Sequence, residues 1–353
     1  MREVLALLTV DGRHVGTVPP FTVDSPWWND VEPVTAHLDA VLGVPTSVLR
    51  LVSATGSGMR DGTVTYQVEL AAAPDRLSTP DPSTGARHDF PDTPLRMPWA
   101  RPGGPAALVA WAERSVTRTG PAVQVKTWNL SCLYRLPTDS GHVWAKEFPS
   151  FMADEAEVIA LVAAVDPALV PQVLAAEPRR LLMAESPGAD CWHPAPEVIT
   201  DIVPRWVAVQ AALAGPARLR VRGVDVPAFG LPHTLLHGDF HPGNWRSGGT
   251  VLDWGDAHWG HPALDAARLI DFAPAETRPL IERTWAEAWR RHRPDSDPER
   301  ALDHARSAVH LVGALVYQEF LDNIEESERV YHAGDPEREL ALAQSRAVRT
   351  SSR

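Results

Sequence analysis

The chain reads as an α+β protein in which strands lead and helices follow. Three observations carry that expectation: short runs of alternating apolar residues in the first part, a break dense in Pro, Ser, Thr, Asp and Gly from Ala73 to Pro105, and long helical periodicities from Glu197 onward. Ahead of the break, strands are expected near Val4–Val10 and His14–Val18, a helix near Val31–Leu42, and strands near Ser47–Ala54 and Gly62–Leu70. Beyond it, Ala122–Trp128, Cys132–Leu136 and His142–Phe148 read as three successive strands, the last two separated by the turn-rich Pro137-Thr138-Asp139-Ser140-Gly141. Helical periodicity begins near Met152, and further helices are expected over Glu197–Ala214, Pro262–Phe272, Arg278–Arg293 and Glu299–Ile324. The implied division is a small accessory domain over 1–72, a linker over 73–105, a sheet-bearing lobe over 106–185 and a helical lobe over 186–353.

Composition bounds the function. With 33 Lys and Arg against 45 Asp and Glu, the formal charge of -12 repels nucleic acid and anionic membrane and suits a cationic or neutral ligand. No run of about 18 apolar residues appears, and the start lacks a basic segment followed by an apolar one, so a cytoplasmic protein is expected. Cys132 and Cys191 have no metal-type spacing and read as packed thiols.

The stretch His237-Gly238-Asp239-Phe240-His241-Pro242-Gly243-Asn244, followed by Val251-Leu252-Asp253-Trp254-Gly255-Asp256, carries the chemistry. Phosphoryl transfer from ATP needs one carboxylate near the attacking hydroxyl and two oxygen ligands that hold magnesium against the phosphates. Asp239, Asn244 and Asp253 can supply all three. Pro242-Gly243 is a turn dipeptide that returns Asn244 toward Asp239, Gly249–Leu252 reads as a short strand delivering Asp253, and Gly255 is expected to free the backbone to turn away.

These residues resemble the catalytic signature of the aminoglycoside phosphotransferase family, small-molecule kinases with a bilobal fold similar to that of protein kinases. The resemblance runs from about residue 105 to the end. It implies an antiparallel-sheet N-lobe and a mostly helical C-lobe, here preceded by a small α/β accessory domain that it does not cover. It implies Asp239 as catalytic base or hydroxyl-orienting carboxylate, Asn244 and Asp253 as Mg2+ ligands, His237 as a brace of the loop, and Asp265 as its backbone anchor. His241 would touch the transferred phosphate or pack within the loop.

A kinase reading requires a lysine on a strand and a glutamate on the next helix. Lys146 lies on the third strand, and Glu155 shares a helical face with Val158, Ile159 and Val162, whereas Glu157 lies on another. Arg180–Gly188 resembles the family's hinge, where backbone groups of Ala184 and Ser186 would meet the base of ATP or GTP. The turn Asn129-Leu130-Ser131 stands where a glycine-rich loop would be and has no glycine, leaving the phosphate contact to Ser131 and backbone amides.

The acceptor is expected to be a small-molecule hydroxyl, most readily that of an antibiotic such as an aminoglycoside or nucleoside, phosphorylated in resistance. Candidate acceptor contacts are Asp256, His258 and Trp259 after the metal-binding turn, and Tyr317, Glu319, Asp322, Glu325 and Glu326 on or after a late helix. A metabolic kinase of sugar, choline or homoserine type is one alternative. Another is a metal-dependent hydrolase using His237, Asp239 and His241; a third is a nucleotide-binding module without catalysis. The accessory domain could form a homodimer, cover the nucleotide lobe or select substrate, with Trp27-Trp28 either an exposed contact or part of its core.

Overall fold

The computed structural model describes residues 1–56, 58–73 and 90–351. Part of the expected linker, 74–89, lies outside the described residues. The chain divides into two compact units, one of Met1–Pro149, Leu174–Met183 and Phe320–Ala333, the other of Ser150–Val173, Ala184–Glu319 and Gly334–Arg353. The first is sheet-rich and the second largely helical, the α+β organisation that the patterning predicts.

Two five-stranded sheets build the first unit. One contains β1 (Arg2–Val10), β2 (Arg13–Thr17), β3 (Phe21–Val23), β4 (Thr46–Ala54) and β5 (Thr63–Leu70), ordered β2-β1-β5-β4 with β3 also on β1. β1 and β5 run parallel, while β1 pairs antiparallel with β2 and β3, and β4 pairs antiparallel with β5. Helix α1 (Glu32–Leu42) buries Val34 and Leu38 and stops at Gly43, whose φ of 69° is the left-handed closure that glycine adopts without a Cβ penalty. Trp28 is fully buried in this core, with its carbonyl accepting from Tyr66 Oη at 2.5 Å, whereas Trp27 is 46% exposed beside the Arg60 guanidinium.

Helix α2 (Gly104–Ala112), not foreseen in the sequence, shares a core with the second sheet through Leu108, Trp111 and Ala112. That sheet contains β6 (Val123–Trp128), β7 (Ser131–Thr138), β8 (Gly141–Glu147), β9 (Val173–Glu177) and β10 (Arg180–Ala184), in the order β6-β7-β8-β10-β9. The expected boundary between residues 1–72 and 106–185 does not divide the units. Gln124 of β6 acts as a side-chain rung for β4, accepting from the Val48 amide at 2.8 Å and donating to its carbonyl at 2.9 Å, and Ser47 bonds Tyr134 at 3.0 Å. The end of the expected linker is likewise packed, with Trp99 buried and its indole N–H donating to the Trp128 carbonyl.

In the second unit, α3 (Glu155–Ala163) is capped by Asp154, whose carboxylate accepts from the Ala156 and Glu157 amides. The long α4 (Pro196–Leu213) precedes β11 (Thr234–Leu236), the two-residue strands β12 (Trp245–Arg246) and β13 (Thr250–Val251), and β14 (His258–Gly260). Then come α5 (Ala263–Phe272), α6 (Arg278–His292), α7 (Pro298–Asn323) and α8 (Asp335–Ser351). The four helices expected from Glu197 onward appear within a residue of their expected ends, while α8 was not foreseen. A buried charge network holds α8: His310 of α7 bonds Glu339 at 2.7 Å and lies 3.3 Å from Asp271 of α5, and Arg346 bonds Asp271 at 2.7 Å.

Two predictions follow from buried charge. Glu325, expected among acceptor contacts, is instead buried in the first unit between Arg50 (2.8 Å) and Arg96 (3.2 Å). Glu325→Ala leaves two buried guanidinium groups without that partner and should destabilise the protein by about 3–5 kcal/mol in denaturant titration. Burial opposes the charge on His310, but Asp271 and Glu339 prevail and raise its pKa above the ordinary 6.5. Its stabilisation is therefore full below about pH 6.5 and fades as pH rises through the raised value. The stability difference between wild type and His310→Asn should shrink with rising pH; a difference that grows would contradict this.

Candidate active site

The loop of residues 237–244 leaves β11 and is pinned from α5. Asp265 on the first turn of α5 accepts four hydrogen bonds: from the His237 amide (2.9 Å), the Gly238 amide (3.1 Å), Trp206 Nε1 (3.0 Å) and Gln210 Nε2 (3.2 Å). Burial pushes its pKa up to about 6 against the lowering effect of these donors. Gly238 has φ 85°, and a Cβ there would stand 2.2 Å from the Asp256 carbonyl oxygen, so the loop closes only with glycine at this position.

His237 is fully buried and braces the loop from within. Its Nδ1 accepts from the Asp239 amide at 3.2 Å, which leaves Nε2–H to donate to the Leu252 carbonyl at 2.9 Å. Burial lowers its pKa to about 4, consistent with one neutral tautomer. His241 repeats the logic: Nδ1 accepts from the Gly243 amide at 3.0 Å, and Nε2–H donates to Asp239 Oδ2 at 3.1 Å.

Both oxygens of Asp239 are engaged. Oδ1 accepts from Arg268 Nε at 2.9 Å and lies 2.8 Å from its Nη2, while Oδ2 receives His241 and, at 3.3 Å, Asn244 Nδ2. Burial resists ionisation of this carboxyl, but Arg268 and then His241 outweigh it and hold it far below the usual carboxylate range. Burial likewise disfavours the Arg268 charge, yet Asp239 and Tyr317 raise its pKa. Such a carboxylate orients a hydroxyl far better than it removes a proton.

A hairpin brings the two expected metal ligands together. Trp245 pairs with Val251, and the Leu252 amide donates to the Asn244 carbonyl at 2.8 Å, so Asn244 and Asp253 flank the base of one short ladder. Asn244 Nδ2 donates to the Asp239 carbonyl at 3.0 Å, which fixes the amide so that Oδ1 is its remaining hard-oxygen donor. Asp253 is exposed and takes φ 65°, ψ 67°, an uncommon conformation for a non-glycine residue. The turn away from the strand is thus made at Asp253, not at Gly255. Gly255 is needed for close approach: a Cβ there would meet the Met152 methyl at 2.7 Å and Glu155 Oε1 at 3.5 Å, and the Gly255 carbonyl accepts from the Ala153 amide. Glu155, buried at 2% exposure, therefore lies against the Asp253 turn.

Other expected residues are distributed more widely. Lys146 is buried on β8 in the first unit, opposite Leu133. Ser131 Oγ accepts from Trp128 Nε1 at 3.1 Å, and neighbouring Asn129 and Leu130 are buried, which makes this turn fixed. The Ala184 amide donates to the Gln172 carbonyl, so that amide is committed within the protein. Trp259 is a packing residue, 2% exposed with its indole N–H on the Gly215 carbonyl, and His258 is buried with Nδ1–H on the Asp256 carbonyl. Burial pushes the Asp256 pKa up to about 7. Glu319 is bound by Arg220 (2.7 Å) and Arg222 (2.9 Å), Asp322 belongs to the first unit, and Tyr317 reaches Asp239 through its bond with Arg268.

Three residues of this site escaped the sequence reading. Arg268 lies one turn beyond Asp265 and reads there as one more charge on an amphipathic helix. Phe272, one turn further, stacks on His241 at 4.9 Å and 22°, and Trp192 stacks at 5.3 Å and 25°. Only the spacing Asp265, Arg268, Phe272, at i, i+3 and i+7 of one face, could have signalled two of them.

Residues 156–302 match the model of the phosphotransferase enzyme family (APH), a segment that contains the loop, the hairpin and α5. The matched segment spans less than half of the chain. Among solved structures, the chain is similar to a choline kinase from Cryptosporidium parvum Iowa II, with 7% identity over 70% of this chain and 96% of that one and a TM-score of 0.49. A choline/ethanolamine kinase family protein from Mesorhizobium loti has 16% identity, 69% and 96% coverage and a TM-score of 0.46. A macrolide 2'-phosphotransferase from Brachybacterium faecium has 18% identity, 65% and 96% coverage and a TM-score of 0.43. At TM-scores below 0.5 these likenesses assign nothing to this chain. No curated protein matches it.

Because Asp265 satisfies two loop amides at once, Asp265→Asn sets an amide N–H against backbone donors. The expected loss is about 1–3 kcal/mol by denaturant titration, together with faster hydrogen exchange at His237 and Gly238. Unchanged exchange at these two amides would contradict the anchoring role.

Proposed function

We propose that the chain is an ATP- and Mg2+-dependent phosphotransferase that phosphorylates a hydroxyl of a small molecule, of antibiotic rather than metabolic type. The observation that carries this reading is Asp239, anionic on a loop pinned by Asp265, beside a hairpin whose base presents Asn244 and Asp253. Hard oxygen donors of this kind suit magnesium, and Asn244 Oδ1 with the Asp253 carboxylate would hold it. When bound, the ion neutralises charge on the phosphates.

The protein's own groups do the remaining work by placement. Asp239 receives the acceptor hydroxyl as a hydrogen-bond donor and aims its oxygen for in-line attack, the hydroxyl taking the place of one of the four donors now on the carboxylate. His241 and Asn244 keep the carboxylate from rotating. Lys146 is the cation assigned to the nucleotide phosphates, and Ala184 and Ser186 supply the base contacts.

The hydrolase alternative fares poorly on chemistry. All four ring nitrogens of His237 and His241 are committed to protein partners, which leaves no imidazole lone pair for zinc. Among the described residues, no group of three or more His, Cys, Asp or Glu side chains is arranged to hold a metal.

The test is transfer of labelled phosphate from ATP to a panel of hydroxyl compounds, with mass detection of the product. Asp239→Ala should lower transfer at least about a hundredfold while ATP still binds. Turnover equal to wild type would remove Asp239 from its assigned role.

A further inference from the structure

The rings around His241 point to the chemistry of the acceptor. Trp192 and Phe272 sandwich the His241 imidazole, yet they remain 53% and 42% exposed. Each ring turns one face to His241; Phe272 also carries the Arg268 guanidinium, while the second face of Trp192 is directed away from His241. Burying that much aromatic surface is favourable, so leaving two such rings exposed beside Asp239 asks for an occupant. Their placement is built into the fold. A Cβ on Gly243 would stand 2.5 Å from Trp192 Cζ2, so Trp192 lies flat on the catalytic loop itself, and Arg268 covers Phe272 with its guanidinium 4.3 Å from the ring centre.

Charge narrows the class of occupant. A polycationic acceptor needs free carboxylates for its ammonium groups. Here Asp239 is shared by Arg268, His241 and Asn244, Glu319 is held by Arg220 and Arg222, and Asp256 has its Oδ1 buried with Arg222 and Arg220 nearby. The side chains that meet Asp239 are therefore a guanidinium, an imidazole and an amide, and the two rings meet that imidazole.

Resting on the phosphotransferase reading above, we infer that Trp192 and Phe272 form the acceptor-binding wall. The acceptor is accordingly an uncharged hydroxyl compound with a planar ring, of nucleoside type, rather than a polycationic aminoglycoside. The ring stacks on the outer face of Trp192, beside the exposed part of Phe272, and its hydroxyl reaches Asp239, as stacking tolerates many ring types while excluding water from the loop.

The experiment compares wild type, Trp192→Ala, Trp192→Phe and Phe272→Ala against nucleosides and aminoglycosides, with ATP and Mg2+ present. Binding is followed independently of turnover through the fluorescence that Trp192→Phe removes. Nucleosides should quench that component and be phosphorylated. Either alanine variant should raise the acceptor KM about tenfold or more, a larger effect than on kcat, and Trp192→Phe should restore most of the loss. Phosphorylation of aminoglycosides in preference to nucleosides, or an acceptor KM indifferent to both rings, would overturn the inference and leave the phosphotransferase reading intact. Failure of the wild-type chain to bind ATP would instead overturn the reading on which it rests. Binding of ATP without nucleoside quenching of Trp192 would overturn the acceptor assignment alone.

Discussion

One carboxylate sets the geometry of everything that follows in the second unit. Asp265 takes two consecutive backbone amides, His237 and Gly238, and is itself held by Trp206 and Gln210 of α4. The loop therefore takes its position from two helices as well as from its own contacts. The cost is a buried acid whose proton affinity rises as solvent is excluded. The return is a fixed direction for the residues just after it, and Asp239 comes two positions later.

From that fixed point the site is assembled by short-range rules. His237 joins the loop to Leu252 through Nε2 while its Nδ1 holds the Asp239 amide, and Leu252 in turn donates to Asn244. Loop and hairpin thus share one hydrogen-bonded seam, and Asp239, Asn244 and Asp253 are its polar ends. Arg268 adds what the seam lacks, a partly buried positive charge that keeps Asp239 ionised. Orientation and electrostatic preparation are separate tasks, carried by Asp265 and Arg268 from one face of α5.

Much of this was legible in the sequence, for identifiable reasons. The nearness of Asp239 and Asn244 depends on local spacing, which a chain of letters preserves, and the hold of Asp265 on the loop backbone was an expectation from the family resemblance. Helices of the second unit declare themselves through long apolar periodicity. Less visible were α2, which begins inside a Pro- and Gly-rich stretch, β9, a short Ala-rich edge strand, and α8, a polar helix held by charges from α5 and α7. Trp192 could not be placed because its partner, His241, is remote in sequence. The union of residues 1–72 with the second sheet was hidden because it runs through isolated contacts remote in sequence, among them the Gln124 side chain on Val48 and the Val31 amide on the Val125 carbonyl. The turn at Gly255 was misjudged because a glycine serves equally for a left-handed backbone and for tight approach, and only the neighbouring Met152 and Glu155 decide which.

The central claim is that Asn244 and Asp253 close on one divalent ion beside Asp239. Anomalous diffraction from crystals grown with Mn2+ and a non-hydrolysable ATP analogue tests it directly. The account predicts a single strong metal peak at roughly 2.0–2.3 Å from Asn244 Oδ1 and an Asp253 oxygen. A nucleotide-bound metal that touches neither side chain would contradict it.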